Sequence, residues 1–234
     1  PFKKGLALLE EGRNKMIRKS IAQDFFLLAV GENGGMAPLR REVSNAGLVA
    51  AGVLDLEAAG VIASEKKKAT VLKPLPAELS HLEPLYHYLS EKPRSFTRLM
   101  SDYLVGGSAR MKAVYESVGK SLLADGAVAE GMGGFFGNKQ VYIPDRARKA
   151  ELVGKLKETL LGGGAVSALD TGLLLLLKES KNLGQYFSKF EDGERKARLK
   201  ELRKNPRSEK TAATVKEAED LMKAAAACLS SYGG

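Results

Sequence analysis

Tryptophan is absent, cysteine occurs once and histidine twice among the 234 residues, and each scarcity closes off a class of chemistry. A lone Cys228 cannot form an internal disulfide, which fits a reducing compartment. Its neighbours at 224–227 are alanines and Leu229 follows, the setting of a buried, inert thiol rather than a nucleophile. His81 and His87 do not share a helix face, and there is no second cysteine to complete a zinc set. No Gly-x-Ser-x-Gly elbow occurs, and no carboxylate pair can be placed by spacing alone. The chain therefore reads as non-enzymatic, with no catalytic residue, no metal and no cofactor. Long apolar runs are missing too. The densest, at 173–177, falls far short of the roughly 20 residues that a membrane-spanning helix needs. The charged N-terminus carries no apolar secretory leader, and because the chain opens at Pro1 without a Met, further sequence is expected upstream. The expected compartment is the cytoplasm.

What is present is leucine, alanine and positive charge. A 44% hydrophobic composition with only 6% aromatics favours helices and can bury a sizeable core. The net charge is +9, concentrated in residues 1–20 and in the stretch 195–210. Such clusters are either solvated helix faces or contacts for a polyanion, a membrane surface or a nucleic acid.

Hydrophobic periodicity predicts helices over 14–31, 38–59, 78–90, 94–104, 108–124, 145–161, 165–180, 182–190, 192–204 and 211–231. Met111, Val114, Tyr115, Val118 and Leu122 define the buried face of the 108–124 helix. Twice a helix ends at a glycine (Gly60, Gly126) and gives way to strand-like segments: 61–63 with 69–72, and 127–129 with 140–143. The expectation is a mainly α protein, a compact helical bundle with short β-hairpins, one of them prominent. It would comprise a basic segment at 1–20 and a single helical domain over 21–231.

The Gly-rich turn of the second hairpin, 131–138, lacks the Walker spacing and leads into a strand, so it is no phosphate loop. It does carry Phe135 and Phe136, with Met132 and Lys139 alongside. Apolar residues at a loop tip either fold back onto the core or enter the headgroup boundary of a membrane, where an adjacent lysine assists.

Three stretches resemble the Golgi phosphoprotein 3 family: Ile21-Ala22-Gln23-Asp24-Phe25-Phe26-Leu27-Leu28-Ala29-Val30, Gly47-Leu48 through to Val61-Ile62, and Ser121-Leu122-Leu123-Ala124-Asp125-Gly126-Ala127-Val128. The resemblance covers roughly residues 20–205. It implies a helical core with a β-hairpin whose apolar tip serves membrane insertion or oligomer contact. It also implies a reader of phosphatidylinositol 4-phosphate that tethers membrane-protein tails on the cytosolic Golgi face. The family's headgroup pocket uses a Trp and three basic residues; here those positions are Arg40, Val49, Lys112 and Tyr115. The expected function is a peripheral membrane adaptor that binds anionic, phosphoinositide-like lipid through Arg40, Arg41, Arg110, Lys112 and Tyr115. Met132, Phe135, Phe136 and Lys139 would supply the apolar tip, for insertion or homo-oligomer contact. The competing reading is a winged-helix-like nucleic-acid binder, suggested by the helix–hairpin units and a pI of about 9.5.

Overall fold

In the nine residues after Ser20 only Gln23 and Asp24 are polar, so a helix built from them belongs largely inside the protein. In the computed structural model, which describes residues 20–105, 108–134 and 137–232, that helix is α1 (Ile21–Ala29), buried at every position. The upstream part of the expected 14–31 helix, residues 14–19, lies outside the described residues. A buried helix cannot leave its first amides to water. Ser20 caps α1 by accepting from the Gln23 amide at 3.1 Å. The Asp55 carboxylate accepts from the amides of Ile21 and Ala22 at 3.0 and 2.9 Å. His81 closes over the cap, its Nε2 lying 2.9 Å from Ser20 Oγ.

Asp55 comes from α2 (Arg41–Ala58), which follows a short 3-10 turn at Pro38–Arg40 and packs against α1. Gly47 makes that approach possible, because a Cβ there would meet Phe25 Cζ at 2.3 Å. The expected 78–90 helix divides into a 3-10 turn, Ala77–Leu82, and α3 (Glu83–Ser90). Pro84 has no amide to bond back to Ser80, so it starts a helix rather than continuing one. Next come α4 (Phe96–Leu104) and α5 (Ser108–Ala124), the latter burying Met111, Val114, Val118 and Leu122 as the spacing predicted. Then follow α6 (Arg146–Leu161), α7 (Ala168–Glu179), α8 (Asp192–Lys204) and α9 (Glu209–Tyr232). Helix α9 turns Val215, Ala218, Leu221, Met222, Ala225 and Cys228 inward against α7, α4 and α2. Burial raises the pKa of the Cys228 thiol.

Helix 182–190 is corrected to a 3-10 turn at Gly184–Tyr186 between irregular segments. Lys181 takes a φ of 61°, and the neighbouring polar side chains bond elsewhere in the protein. Asn182 Nδ2, for example, donates to Ser44 Oγ at 2.8 Å and to Ser180 Oγ at 3.0 Å.

Both expected hairpins are present. Strands β1 (Ile62–Glu65) and β2 (Lys68–Val71) pair antiparallel from Ile62↔Val71 to Glu65↔Lys68. Their turn is only Lys66 and Lys67, shorter than expected. A third strand, β3 (Arg94–Ser95), replaces the start of the expected 94–104 helix and pairs with β2. Strands β4 (Val128–Gly133) and β5 (Lys139–Pro144) pair from Val128↔Pro144 to Gly133↔Lys139, further into the Gly-rich segment than expected. The two helix–hairpin junctions are built alike. At Gly60 (φ 65°), Val61 N donates to Leu56 O and Gly60 N to Glu57 O, both at 2.8 Å. At Gly126 (φ 67°), Ala127 N donates to Leu122 O at 2.9 Å and Gly126 N to Leu123 O at 3.0 Å. This is the Schellman arrangement, which satisfies carbonyls that the helix end would otherwise orphan.

Two substitutions test this account. Asp55→Ala removes a charged acceptor from buried amides and should cost about 2–4 kcal/mol in urea unfolding, with Asp55→Asn losing less. A loss below about 0.5 kcal/mol would mean that the α1 amides are satisfied without it. Gly119→Ala would set a Cβ 2.3 Å from the Tyr142 ring and push the β4–β5 hairpin off α5. A drop of about 1–3 kcal/mol is expected in thermal unfolding.

Candidate functional site

Between α1 and α2 the chain runs through the loop 30–40, and its backbone is tied down by side chains from remote elements. The last carbonyls of a helix lack internal partners. Leu28 O accepts from Tyr186 Oη at 2.5 Å and from Gln185 Nε2 at 3.4 Å. Lys149 Nζ, from α6, donates to Val30 O. Tyr115 Oη, from α5, donates to Gly34 O at 3.0 Å, and burial pushes the Tyr115 pKa up to about 12, so it stays a donor. Gly34 adopts a φ of 75°, and a Cβ there would lie 2.7 Å from Val141 of β5. At this one glycine the loop, helix α5 and the second hairpin meet.

The residues expected in the headgroup pocket divide around this loop. Arg40 reaches across it, Nη1 donating to Lys181 O at 2.7 Å and Nη2 to Gln185 Oε1 at 3.2 Å. Arg41 is exposed at the start of α2. Tyr115 stacks among Phe26 and Tyr142, with ring centroids 4.8 and 5.9 Å away. Lys112 is exposed one turn earlier on α5, 3.6 Å from Glu116. Arg110 points elsewhere: two residues along a helix are separated by about 200°, and its guanidinium lies 5.4 Å from the Tyr88 ring centroid on α3. The structure thus joins Tyr115 directly to the loop that carries Arg40 and Arg41, with Lys112 on the neighbouring turn, and sets Arg110 against α3. Val49 is fully buried and presents nothing to a ligand.

On the hairpin, Met132 is 68% exposed and Lys139 is exposed opposite Gly133, while Phe135 and Phe136 lie outside the described residues. Helical periodicity puts Leu39 on or near the buried side of the expected 38–59 helix; it is instead 100% exposed beside Arg40 and Arg41, because Pro38–Arg40 forms a 3-10 turn ahead of α2. Sequence reasoning missed Gly34, Lys149, Gln185 and Tyr186, whose roles depend on contacts distant in sequence and leave no local signal. The basic stretch 195–210 is partly spent inside the protein: Arg195 and Arg198 are buried, while its other six cations are exposed. Arg198 donates to Gly164 O at 2.5 Å and to Glu201 at 2.6 Å. Arg195 pairs with Asp192 beside the Phe187 ring, and Arg203 pairs with Glu219 across to α9.

Among the described residues, no helix is long and apolar enough to cross a membrane, and no cluster of His, Cys, Asp or Glu could hold a metal ion. The fold is that of a mainly helical protein with two hairpins, each launched from a glycine-capped helix. The model of the Golgi phosphoprotein 3 (GPP34) family matches residues 21–222, so the chain belongs to that family. The match extends past the 20–205 span of the sequence resemblance into α9. No curated protein matches the chain at a significant level.

Lys149 gives the site a pH signature. Burial, partly offset by Glu32, lowers its pKa below the ordinary 10.5. The folded state therefore holds this proton less tightly than the unfolded chain, and the residue's contribution to stability grows as pH rises from its folded pKa towards 10.5. Lys149→Met should remove that component of the alkaline stability profile. NMR of the Lys149 side chain should show a midpoint below 10.5, whereas a midpoint at or above it would place the amine in water.

Proposed function

We propose that this protein is a non-enzymatic peripheral membrane adaptor that binds anionic, phosphoinositide-like lipid. Its headgroup site is the surface around the loop 30–40, with Arg41 and Lys112 as exposed cations and Arg40 and Tyr115 shaping the wall. Arg110 contributes from the other side of α5, at longer range. The observation that carries this reading is Leu39, fully exposed between Pro38 and a pair of arginines. An apolar side chain flanked by cations suits the boundary between headgroups and acyl chains. The hairpin of β4 and β5, which carries Met132 and Lys139 and whose connecting sequence includes Phe135 and Phe136, is a second apolar anchor or an oligomer contact. Membership of the Golgi phosphoprotein 3 family supports the adaptor role, with cytosolic tails of membrane proteins as clients and the cytosolic Golgi face as the location in a eukaryote. The nucleic-acid reading has less behind it, because α8 spends its arginines on internal partners.

Vesicle co-flotation tests the proposal, with neutral vesicles, vesicles containing phosphatidylserine, and vesicles containing phosphatidylinositol 4-phosphate. Flotation with anionic vesicles is expected, strongest with the phosphoinositide and weakened by salt. Each cation at such a surface is worth about 1 kcal/mol, so the double variant Arg41→Glu/Lys112→Glu should bind at least about tenfold more weakly. Leu39→Ser should weaken the part of binding that survives high salt. Failure to float at low salt would refute membrane binding, and unchanged flotation of the double variant would refute this site.

A further inference from the structure

Phe187 and Phe190 both precede α8, and the fold treats them differently. Phe187 packs against the core under the Lys157 ammonium and the Arg195 guanidinium, which lie 5.7 and 5.6 Å from its ring centroid. Phe190 is 99% exposed. The turn that presents it is clamped. Ser188 Oγ accepts from the Glu191 amide at 3.3 Å and the Glu191 carboxylate accepts from the Ser188 amide at 2.7 Å, a reciprocal capping box at the start of α8. Lys157 of α6 donates to the same carboxylate at 2.9 and 3.2 Å. The backbone on both sides of Phe190 is thereby fixed with the ring outward.

Phe190 stands at the head of an exposed line on α8. Gly193, Ala197, Lys200 and Lys204 follow at helical spacing; at about 100° per residue they fall within an arc of about 60°. All of them are exposed, and the opposite face of the helix buries Arg195, Arg198, Leu199 and Leu202. Gly193 and Ala197 are small, so the surface between the ring and the lysines is flat. Lys189 flanks the ring and Arg207 follows the helix end. Among the described residues, Lys189, Lys200, Lys204 and Arg207 form no ion pair. Of the acids on this side, Glu201 is committed to Arg198 at 2.6 Å, and Glu194 lies to one side of the line.

We infer that this face of α8 is a membrane-docking surface: Phe190 enters the headgroup boundary of an anionic bilayer, while Lys200, Lys204 and Arg207 hold the helix along it. The apolar area argues against a protein partner. A single ring offers about 200 Å², whereas a stable protein interface takes about 800 Å² from each side. A DNA duplex would engage the cations through its phosphates and leave the ring in water. Continuity with the loop 30–40 also favours the bilayer, because the segment leading into Phe190 supplies Lys181 O and Gln185 Oε1, the acceptors that hold Arg40. The inference shares its partner with the reading of that loop but rests on other residues, so either surface can fail while the other stands.

Because the chain has no tryptophan, Phe190→Trp installs a single fluorescent reporter. Its emission is followed as vesicles of phosphatidylcholine and phosphatidylserine are added, with brominated lipid as quencher. A blue shift with quenching is expected, and neither with phosphatidylcholine alone. Adding Lys200→Glu/Lys204→Glu should weaken the response about tenfold or more, and the charge-matched Lys66→Glu/Lys68→Glu on the first hairpin should not. All four lysines are exposed, so urea unfolding of both double variants should match the parent. At saturating lipid the shift should persist with Arg41→Glu/Lys112→Glu, which removes the contact at the loop. Flotation without a blue shift overturns this surface and leaves the loop standing. The inference is also overturned if both lysine variants weaken the response alike, or if the shift arises without vesicles as protein concentration rises. A shift with a DNA duplex and none with vesicles overturns it too.

Discussion

A helix buried on all sides creates a polar problem at both ends, and in this protein the Asp55 carboxylate at the first amides of α1 is where its solution begins. Apolar packing is not directional; it would let α1 slide or rotate at modest cost. Hydrogen bonds to its ends fix the register. At the N-terminus, Asp55 brings in α2 and His81 brings in the 3-10 turn before α3. At the C-terminus, Tyr186, Gln185 and Lys149 bring in the turn after α7 and the start of α6. Elements far apart in the chain are thus set in place by the obligatory needs of one short helix.

This also explains which parts of the fold were legible in the sequence. The face of α5 and the glycine-terminated helices at Gly60 and Gly126 are governed by local rules, and they appear where periodicity and turn chemistry put them. The segment 182–190 has helix-compatible residues, but Asn182, Gln185 and Tyr186 spend their polar groups on partners far away in the chain. Strand β3 has two residues, too few to show alternation. At the candidate site, Arg40, Arg41, Lys112 and Tyr115 could be named from sequence and resemblance. That Arg40 would be held by Lys181 and Gln185, and that Arg110 would face α3, required the fold.

Net charge is a poor guide to function here until it is divided by use. The basic stretch 195–210 looked like the strongest polyanion contact in the described part of the chain, yet Arg195 and Arg198 are buried and Arg203 joins α8 to α9. Arginine suits this work, because a planar fork can satisfy a carbonyl and a carboxylate together. Among the described residues, the exposed cations without an ion pair include Arg41, Lys66 and Lys68 in the first hairpin, and Lys200, Lys204 and Arg207 late in the basic stretch.

Gly34 turns the loop and the second hairpin into one mechanical assembly. Val141 rests where a side chain on residue 34 would otherwise be, and Tyr115 grips the Gly34 carbonyl from the helix beneath. A force on the hairpin's far end is therefore not absorbed by the hairpin alone. Whatever shifts Val141 must also make room at Gly34, and so bears on the loop that leads to Leu39, Arg40 and Arg41.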